Sequence, residues 1–134
     1  MNVLINTRSK REVRDITDEV ARQLPGNSGL VHVFAHHTTC AVTTADLDPG
    51  TDMDLLDFLK GMTPDVQWRH AHNPAHAPAH LLASIIGPDL HIPFADGRLQ
   101  LGTWQRIILI ELDGPRERRL SVTVICEGVM HEQR

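Results

Sequence analysis

Four of the nine histidines in this 134-residue chain lie close together, in the segment RHAHNPAHAPAHL at 69–81. They are His70, His72, His76 and His80. Neutral imidazole is a common metal ligand, and three protein ligands with an open fourth position make a catalytic zinc site. Pro78 predicts that a helix begins between His76 and His80, which argues against a chelate formed by those two. The helix dipole favours a neutral His80, suited to a ligand or a neutral donor. The alternative is that two or three of the four side chains point into water.

A second candidate site is the segment HHTTCAV at 36–42, where a predicted strand ends. His37 shares one face of that strand with the apolar residues Val31, Val33 and Ala35. If that face is buried, His37 lies at the edge of the core and faces a cleft. Thr38 and Thr39 add hydroxyl and N–H groups that suit an anion. The alternative is a hydrogen-bonded histidine in a hairpin, followed by two threonines of high strand propensity.

Two further segments have residue types suited to binding a ring and a phosphate. In LGTWQ at 101–105, Trp104 follows a glycine bend and would form a stacking wall for a flat ring. In ELDGPRERR at 111–119, Arg116 and Arg118 offer guanidinium groups that match phosphate oxygens. The alternatives are that Trp104 fills a core short of aromatic residues, and that the arginines pair with Glu111, Asp113 or Glu117 in a solvated loop.

Composition limits the classes of function. The length predicts one domain at 1–134, and a net charge of −4 weighs against a broad nucleic-acid surface. The N-terminal residues do not resemble a signal peptide, and no apolar run has the length of a membrane span. Cys40 and Cys126 show no CxxC spacing, which indicates free thiols in a reducing cytoplasm. Neither cysteine lies in a nucleophile motif, and GxSxG, P-loop and GxGxxG motifs are absent, so a nucleophilic hydrolase is not expected.

Hydropathy patterning predicts the elements that would position these residues. Strands are predicted at 12–17, 29–37, 39–46, 90–94, 99–112 and 119–128, and helices at 18–24, 51–62 and 78–87. Thr17 is the predicted N-cap of the first helix, Asp96-Gly97 a hairpin turn, and Gly102 a bend. Helices grouped between runs of strands predict an α+β domain with a largely antiparallel sheet.

Five motifs, taken in order, resemble the secondary thiamine-phosphate synthase (YjbQ-like) family. They are HTTCAV (37–42), an acidic turn with Asp46, Asp48 and Pro49, AHL (79–81), IPFADGRLQLGTWQ (92–105) and ELDGPRER (111–118). The resemblance covers nearly the whole chain, most firmly from about Leu30 to Gly128. It implies a curved, mixed and largely antiparallel half-barrel sheet with three helices packed on one side. It also implies a homotrimer with clefts between subunits.

The resemblance also implies site residues. The family's motif histidines correspond to His37, His70 and His80, which would bind a divalent metal. Zinc or magnesium is expected, although imidazole also suits nickel, copper or iron. The implied catalytic residues are His37, Asp46 and His80, and the implied substrate-binding residues are Thr38, Thr39, Trp104 and Arg116. Asp46 stands where the family has a longer glutamate, and His76 stands where an asparagine is common. The role of His76 is left open, and His72 is expected to face solvent.

Three functions agree with this pattern. The first is a metal-binding enzyme with weak thiamine-phosphate synthase-type activity on phosphorylated heterocycles, its true substrate open. The second is a metal- or metabolite-binding trimer with little catalysis. The third is another metal-assisted phosphate lyase or cyclase. In all three the partner is a phosphorylated small molecule, with neither nucleic acid nor membrane involved.

Overall fold

The computed structural model describes residues 1–127 of the chain, as eight β-strands and three α-helices. The strands are β1 (Asn2–Asn6), β2 (Glu12–Asp15), β3 (Gly29–Ala35), β4 (Cys40–Asp46), β5 (Asp89–Ala95), β6 (Arg98–Leu99), β7 (Gln105–Glu111) and β8 (Glu117–Cys126). The helices are α1 (Thr17–Ala21), α2 (Thr51–Gly61) and α3 (Ala77–Ile86), and a 3-10 turn at Pro74–His76 leads into α3. Residues 128–134, which belong to the predicted single domain, lie outside the described part. They include Gly128, the last residue predicted for the final strand.

The strands form two sheets that curl around one core as an antiparallel half-barrel. The larger sheet has the order β1-β8-β3-β5-β6, and the smaller one has the order β2-β7-β4. Every strand pair within residues 1–127 is antiparallel. The predicted α+β class with a curved, largely antiparallel sheet and three helices is therefore confirmed.

The main core lies between the two sheets and follows from residue alternation in the strands. In β3, Val31, Val33 and Ala35 are at most 1% exposed, whereas the residues between them face outward. Leu120 and Val122 of β8 are buried in the same core, opposite Ile107 and Leu109 of β7 in the smaller sheet. The predicted inward face of β3 is thus confirmed, and His37 follows it at the core edge.

A second apolar cluster covers the outer face of the smaller sheet. Ile108 and Ile110 of β7 point outward from that sheet and contact Leu59 of α2 and Leu82 of α3. Because both faces of β7 are covered, its sequence reads as a continuous apolar run instead of an alternating one. Helix α1 differs from the other two helices, since its Val20 belongs to the core between the sheets.

Three details depart from the sequence-based expectations. Strand β1 was not predicted, and it forms by pairing with β8. The long strand predicted at 99–112 is two strands, because the chain bends between Leu99 and Gln105. Thr17 is not a side-chain cap; its hydroxyl donates to Asp15 Oδ1 (2.6 Å) and accepts from the N–H of Ile107 (2.8 Å), which ties α1 to β7.

The predicted Asp96-Gly97 hairpin turn is confirmed between β5 and β6. Both residues have positive φ, 52° and 75°, as a tight two-residue turn requires. None of the helices within residues 1–127 combines the length and the apolar character that crossing a bilayer requires.

Gly29, where β3 begins, leaves no room for a side chain. A Cβ at this position would lie 2.0 Å from the carbonyl oxygen of Ile125 on the neighbouring strand. We expect Gly29→Ala to lower the free energy of unfolding by about 1–3 kcal/mol, the usual effect of overpacking. Urea denaturation followed by circular dichroism measures the change. Gly26→Ala is the matched control, because a Cβ there meets nothing within 4 Å. Equal stability of the two variants would contradict the prediction.

Candidate functional site

His37 follows β3 and is held in one orientation by the backbone of β8. Its Nε2 accepts a hydrogen bond from the N–H of Arg119 (2.8 Å). A backbone N–H can only donate, so Nε2 carries the lone pair and Nδ1 carries the proton of the neutral ring. His37 therefore presents a neutral N–H donor. It would bind a metal only by giving up its bond to Arg119.

The electrostatic surroundings of His37 reinforce the neutral form. Burial, together with the positive charge of Arg118, lowers the pKa of His37 below its usual value. Both causes disfavour the imidazolium, which is the charged form. At neutral pH, His37 is thus an uncharged hydrogen-bond donor at the edge of the core.

A cleft of about 470 Å³ opens in front of His37. Its lining combines apolar and polar side chains: Phe34, Ala35, His36, His37, Thr38, Cys40, Ala83, Ser84 and Pro88. The segment after α3 closes one side, because Ala35 N–H donates to Pro88 O (2.8 Å) and Val42 N–H donates to Gly87 O (3.1 Å). This volume is in the usual range for a small-molecule site, and apolar walls with a few polar groups are typical of one.

A buried ion pair lies behind the cleft. Arg118 and Glu111 are at most 1% exposed, and Arg118 Nε donates to Glu111 Oε1 (2.8 Å). A second Arg118 nitrogen donates to the hydroxyl of Thr39 (2.9 Å), and Thr7 donates to the same carboxylate (2.7 Å). Thr39, implied to be substrate-binding, is itself buried and engaged here. The expectation that Arg118 offers its guanidinium to a phosphate was wrong, because the carboxylate of Glu111 occupies it.

Arg116 is held by hydrogen bonds, as Arg118 is, but unlike Arg118 it remains accessible to solvent. Its Nε donates to the Asp113 carbonyl (2.9 Å), its Nη2 donates to Asp113 Oδ2 (3.2 Å), and half of its side chain is exposed. His76 Nδ1 lies 3.5 Å from the same carboxylate oxygen. The structure thus places His76, whose role the sequence left open, beside the residue that orients Arg116.

The thiol of Cys40 connects this arginine loop to the cleft. Burial raises the pKa of Cys40 to about 11, although the nearby charges of Arg118 and Arg116 act in the opposite direction. The thiol therefore stays protonated and is not a nucleophile at neutral pH. Cys40 lines the cleft and pairs with Glu111 across β4 and β7, and Asp113, which holds Arg116, follows Glu111 by two residues, so the loop with Arg116 begins close to the cleft. Cys40 and Cys126 are both free thiols, as predicted.

His70 and His80 lie together, as the sequence suggested. Their rings stack with centroids 4.7 Å apart and planes 22° apart, and His72 lies at the edge of His70. A metal binds in the plane of each imidazole, so two nearly parallel rings point at one ion only after a ring rotates. Within residues 1–127, His37, His70 and His80 do not form a group whose ligand atoms all lie within 4.8 Å of one another.

Asp46 and Trp104 share a separate, smaller cleft of about 190 Å³. Trp104 is 70% exposed, so the alternative that it fills the core is wrong. Asp46 Oδ1 accepts a hydrogen bond from the N–H of Asp48 (2.9 Å) at the end of β4. An exposed indole beside a carboxylate can stack a flat ring and contact its polar edge.

The implied site residues therefore fall into local groups within one chain. His37 and Thr38 face the larger cleft, Arg116 lies near it, and Asp46 and Trp104 face the smaller one. The sequence had named Asp113 as a possible partner of the arginines, and the structure confirms that pairing for Arg116. Sequence reasoning missed Ser84, which lines the larger cleft. Ser84 carried no signal, because a single serine within an apolar helix looks like an ordinary surface residue.

Comparisons with known proteins agree with this fold. The family model described as UPF0047 protein YjbQ-like matches residues 1–127. A UPF0047 protein of Archaeoglobus fulgidus is 37% identical over 126 residues, which covers 93% of this chain and 100% of the relative. The UPF0047 protein YugU of Bacillus subtilis is 36% identical over 128 residues, covering 90% of this chain and 95% of the relative.

Solved structures give the same result. A hypothetical protein from Aeropyrum pernix K1 has a TM-score of 0.87 at 37% identity, covering 95% of this chain and 98% of that chain. A YbjQ-like protein of unknown function from Sulfolobus solfataricus P2 has a TM-score of 0.85 at 33% identity, covering 95% of this chain and 96% of that chain. With the family match over residues 1–127, these similarities show that the chain belongs to the YjbQ-like UPF0047 family.

Proposed function

We propose that the cleft at His37 binds a phosphorylated heterocycle, and that the protein is a cytoplasmic enzyme of the thiamine-phosphate synthase type. The observation that carries this proposal is the fixed, neutral N–H donor of His37 at the mouth of a cleft of about 470 Å³ with mixed walls. A neutral donor can hydrogen-bond to phosphate oxygens without first losing a proton. The apolar part of the lining, including Phe34 and Pro88, suits a ring.

Arg116 supplies positive charge in this proposal. Its guanidinium is held by Asp113 through two hydrogen bonds, so little conformational entropy is lost when it meets an anion. Half of its side chain is exposed, which leaves N–H groups accessible to a ligand. In the joining of an aminopyrimidine diphosphate to a thiazole phosphate, diphosphate leaves and its developing charge must be neutralised. Arg116 and the Nδ1–H of His37 are the groups proposed to do this.

A divalent metal and a homotrimer are further parts of the proposal. His70 and His80 would hold the ion after their rings turn out of the stack, and zinc suits imidazole better than magnesium does. Such an ion would supply positive charge for the leaving diphosphate. In a trimer with clefts between subunits, the Asp46–Trp104 cleft would supply a stacking surface for the second substrate. Light scattering measures the assembly state.

The test is a substrate assay with a matched pair of arginine variants. Wild-type protein is incubated with the pyrimidine diphosphate and the thiazole phosphate in the presence of zinc or magnesium, and product and released diphosphate are quantified. A hydrogen bond to a charged group contributes about 1.5–3 kcal/mol. Arg116→Ala should therefore lower kcat/KM by about tenfold or more. Arg98→Ala removes an exposed arginine on β6 and should leave the rate unchanged.

The outcomes separate the alternatives. Binding of either substrate by calorimetry without turnover supports a metabolite-binding trimer with little catalysis. Consumption of another phosphate ester in a substrate screen supports a different phosphate lyase or cyclase in the same cleft. If wild-type protein binds neither substrate, or if Arg116→Ala and Arg98→Ala behave alike, the proposed phosphate site is wrong.

A further inference from the structure

Three potential metal ligands converge on the outer face of the larger sheet, beside the larger cleft but outside its lining. His32 of β3 and His91 and Asp89 of β5 each place one ligand atom within 4.8 Å of the other two. His32 Nε2 lies 2.8 Å from Asp89 Oδ2, and the rings of His32 and His91 are 4.5 Å apart. Among residues 1–127, no other group of three histidine, cysteine, aspartate or glutamate side chains meets this distance.

The strand register brings these side chains together. His32 and His91 are direct partners across the antiparallel pair β3–β5, so both point to the same face. Asp89 lies two residues before His91, and residues two apart in a strand share a face. Directly opposite residues have Cβ atoms about 4.5–5.5 Å apart, which suits two imidazoles that reach one ion. Because strands position these ligands, they are held more precisely than ligands on a loop would be.

We propose that His32, Asp89 and His91 form a binding site for zinc or a similar divalent transition metal. Two imidazoles and a carboxylate are a ligand set that zinc accepts, and three protein ligands leave a fourth position for water or a small ligand. The side chains of His32 and Asp89 are 26% and 40% exposed, so an ion can enter from solvent. The site shares no residue with either cleft, although it adjoins the larger one through Phe34, which stacks on His32 and pairs with Asp89. The metal proposal does not depend on the proposed function.

Coordination requires a small rearrangement. The two ring planes are 23° apart, and they must open so that both lone pairs point at one ion. Rotation of a histidine ring about χ2 has a broad, shallow profile, and this face of the sheet is open to solvent. The competing reading is a simple hydrogen bond between His32 and Asp89 with no affinity for metal. That reading predicts no role for His91.

The experiment is a zinc titration of the full chain, prepared without a polyhistidine tag and first treated with a chelator. Calorimetry and elemental analysis after dialysis give the affinity and the zinc content per chain. We expect His32→Ala and His91→Gln each to bind one zinc fewer or to bind it more weakly. Loss of a supporting residue around a metal ligand weakens affinity about 10–100-fold, and loss of a ligand should have at least that effect.

Two controls distinguish this site from neighbouring histidines and from the metal site proposed at His70 and His80. His36→Ala removes a neighbouring imidazole outside the trio and should keep the wild-type zinc content. The double variant His70→Ala/His80→Ala should keep the zinc bound by the sheet, whatever the fate of an ion at those two histidines. Circular dichroism confirms that the variants fold. If wild-type protein takes up no zinc, or if folded His91→Gln matches it, the proposal is overturned.

Discussion

Replacing Arg118 with methionine is expected to lower the free energy of unfolding by about 3–5 kcal/mol, the usual cost of breaking a buried ion pair. Arg118 and Glu111 are at most 1% exposed, so the substitution leaves a carboxylate charge without a partner inside the protein. It also removes the hydrogen bonds that Arg118 donates to Thr39. Urea denaturation followed by circular dichroism measures the loss.

A double variant keeps this prediction testable if Arg118→Met does not fold. Glu111→Gln/Arg118→Met removes both charges. One side-chain oxygen remains to accept from the N–H groups of Leu112 and Asp113, which are now 3.0 and 3.1 Å from the carboxylate. It should therefore be more stable than Arg118→Met alone. Arg98→Met changes an exposed arginine and should have little effect. A double variant no more stable than the single one would show that the unpaired charge is not the cause.

The same pair makes the wild-type protein sensitive to acid. Burial opposes ionisation of Glu111, but hydrogen bonds from Arg118 and Thr7 outweigh it and hold the pKa of Glu111 below its usual value. The folded state therefore binds a proton at Glu111 less readily than the unfolded chain does. This contribution to stability is complete above the unfolded pKa of about 4.3 and is lost as the pH falls through the folded pKa. The double variant should lack this part of the pH dependence.

The largest expected effect on activity comes from His37→Ala, if the protein catalyses the proposed transfer. The imidazole is fixed by Arg119 and lines the cleft, and its Nδ1–H is the donor proposed for the charge that a leaving diphosphate would develop. Removing one such preorganised donor costs about 100–1,000-fold in kcat, so we expect a loss of that size. Steady-state rates with the pyrimidine and thiazole phosphates measure it.

The control for His37→Ala is His72→Ala, which removes an exposed imidazole outside the cleft and should retain the wild-type rate. The pH profile gives a second readout. Because the pKa of His37 is lowered, the neutral donor persists below the usual value and is lost only as the pH falls through the folded pKa. A His37→Ala variant with wild-type kcat would exclude His37 from the chemistry and limit the cleft to binding.

Much of the fold was predictable because local patterns determine it. The alternation in β3 gave its buried face, Pro78 and Gly87 marked α3, and Asp96-Gly97 marked the β5–β6 turn. Strand β1 escaped prediction because its five residues form an edge strand, and its partner β8 comes more than a hundred residues later. No local pattern reports a pairing of that range.

The candidate site was predictable in its residue types but not in its geometry. The sequence singled out His37 and Arg116, and the structure places His37 on a cleft and Arg116 near it. For Arg118 it offered a phosphate ligand or a solvated pair with a nearby acid, Glu111 among them. The structure shows the pair with Glu111, buried instead of solvated. The surroundings of this pair include Thr7, after β1, and Thr39, before β4, which hydrogen-bond to it from distant parts of the chain. Residue spacing does not contain that information.

The position of β8 in the larger sheet has a consequence for biosynthesis. Strand β8 is the last of the described strands, yet it lies between β1 and β3. On the ribosome, β1 and β3 emerge early and have no shared neighbour until β8 leaves the exit tunnel. During that interval the β3 edge is open to other nascent chains, and open edges favour aggregation. A chain that terminates before β8 would lack the strand that pairs with both β1 and β3, which are synthesised much earlier.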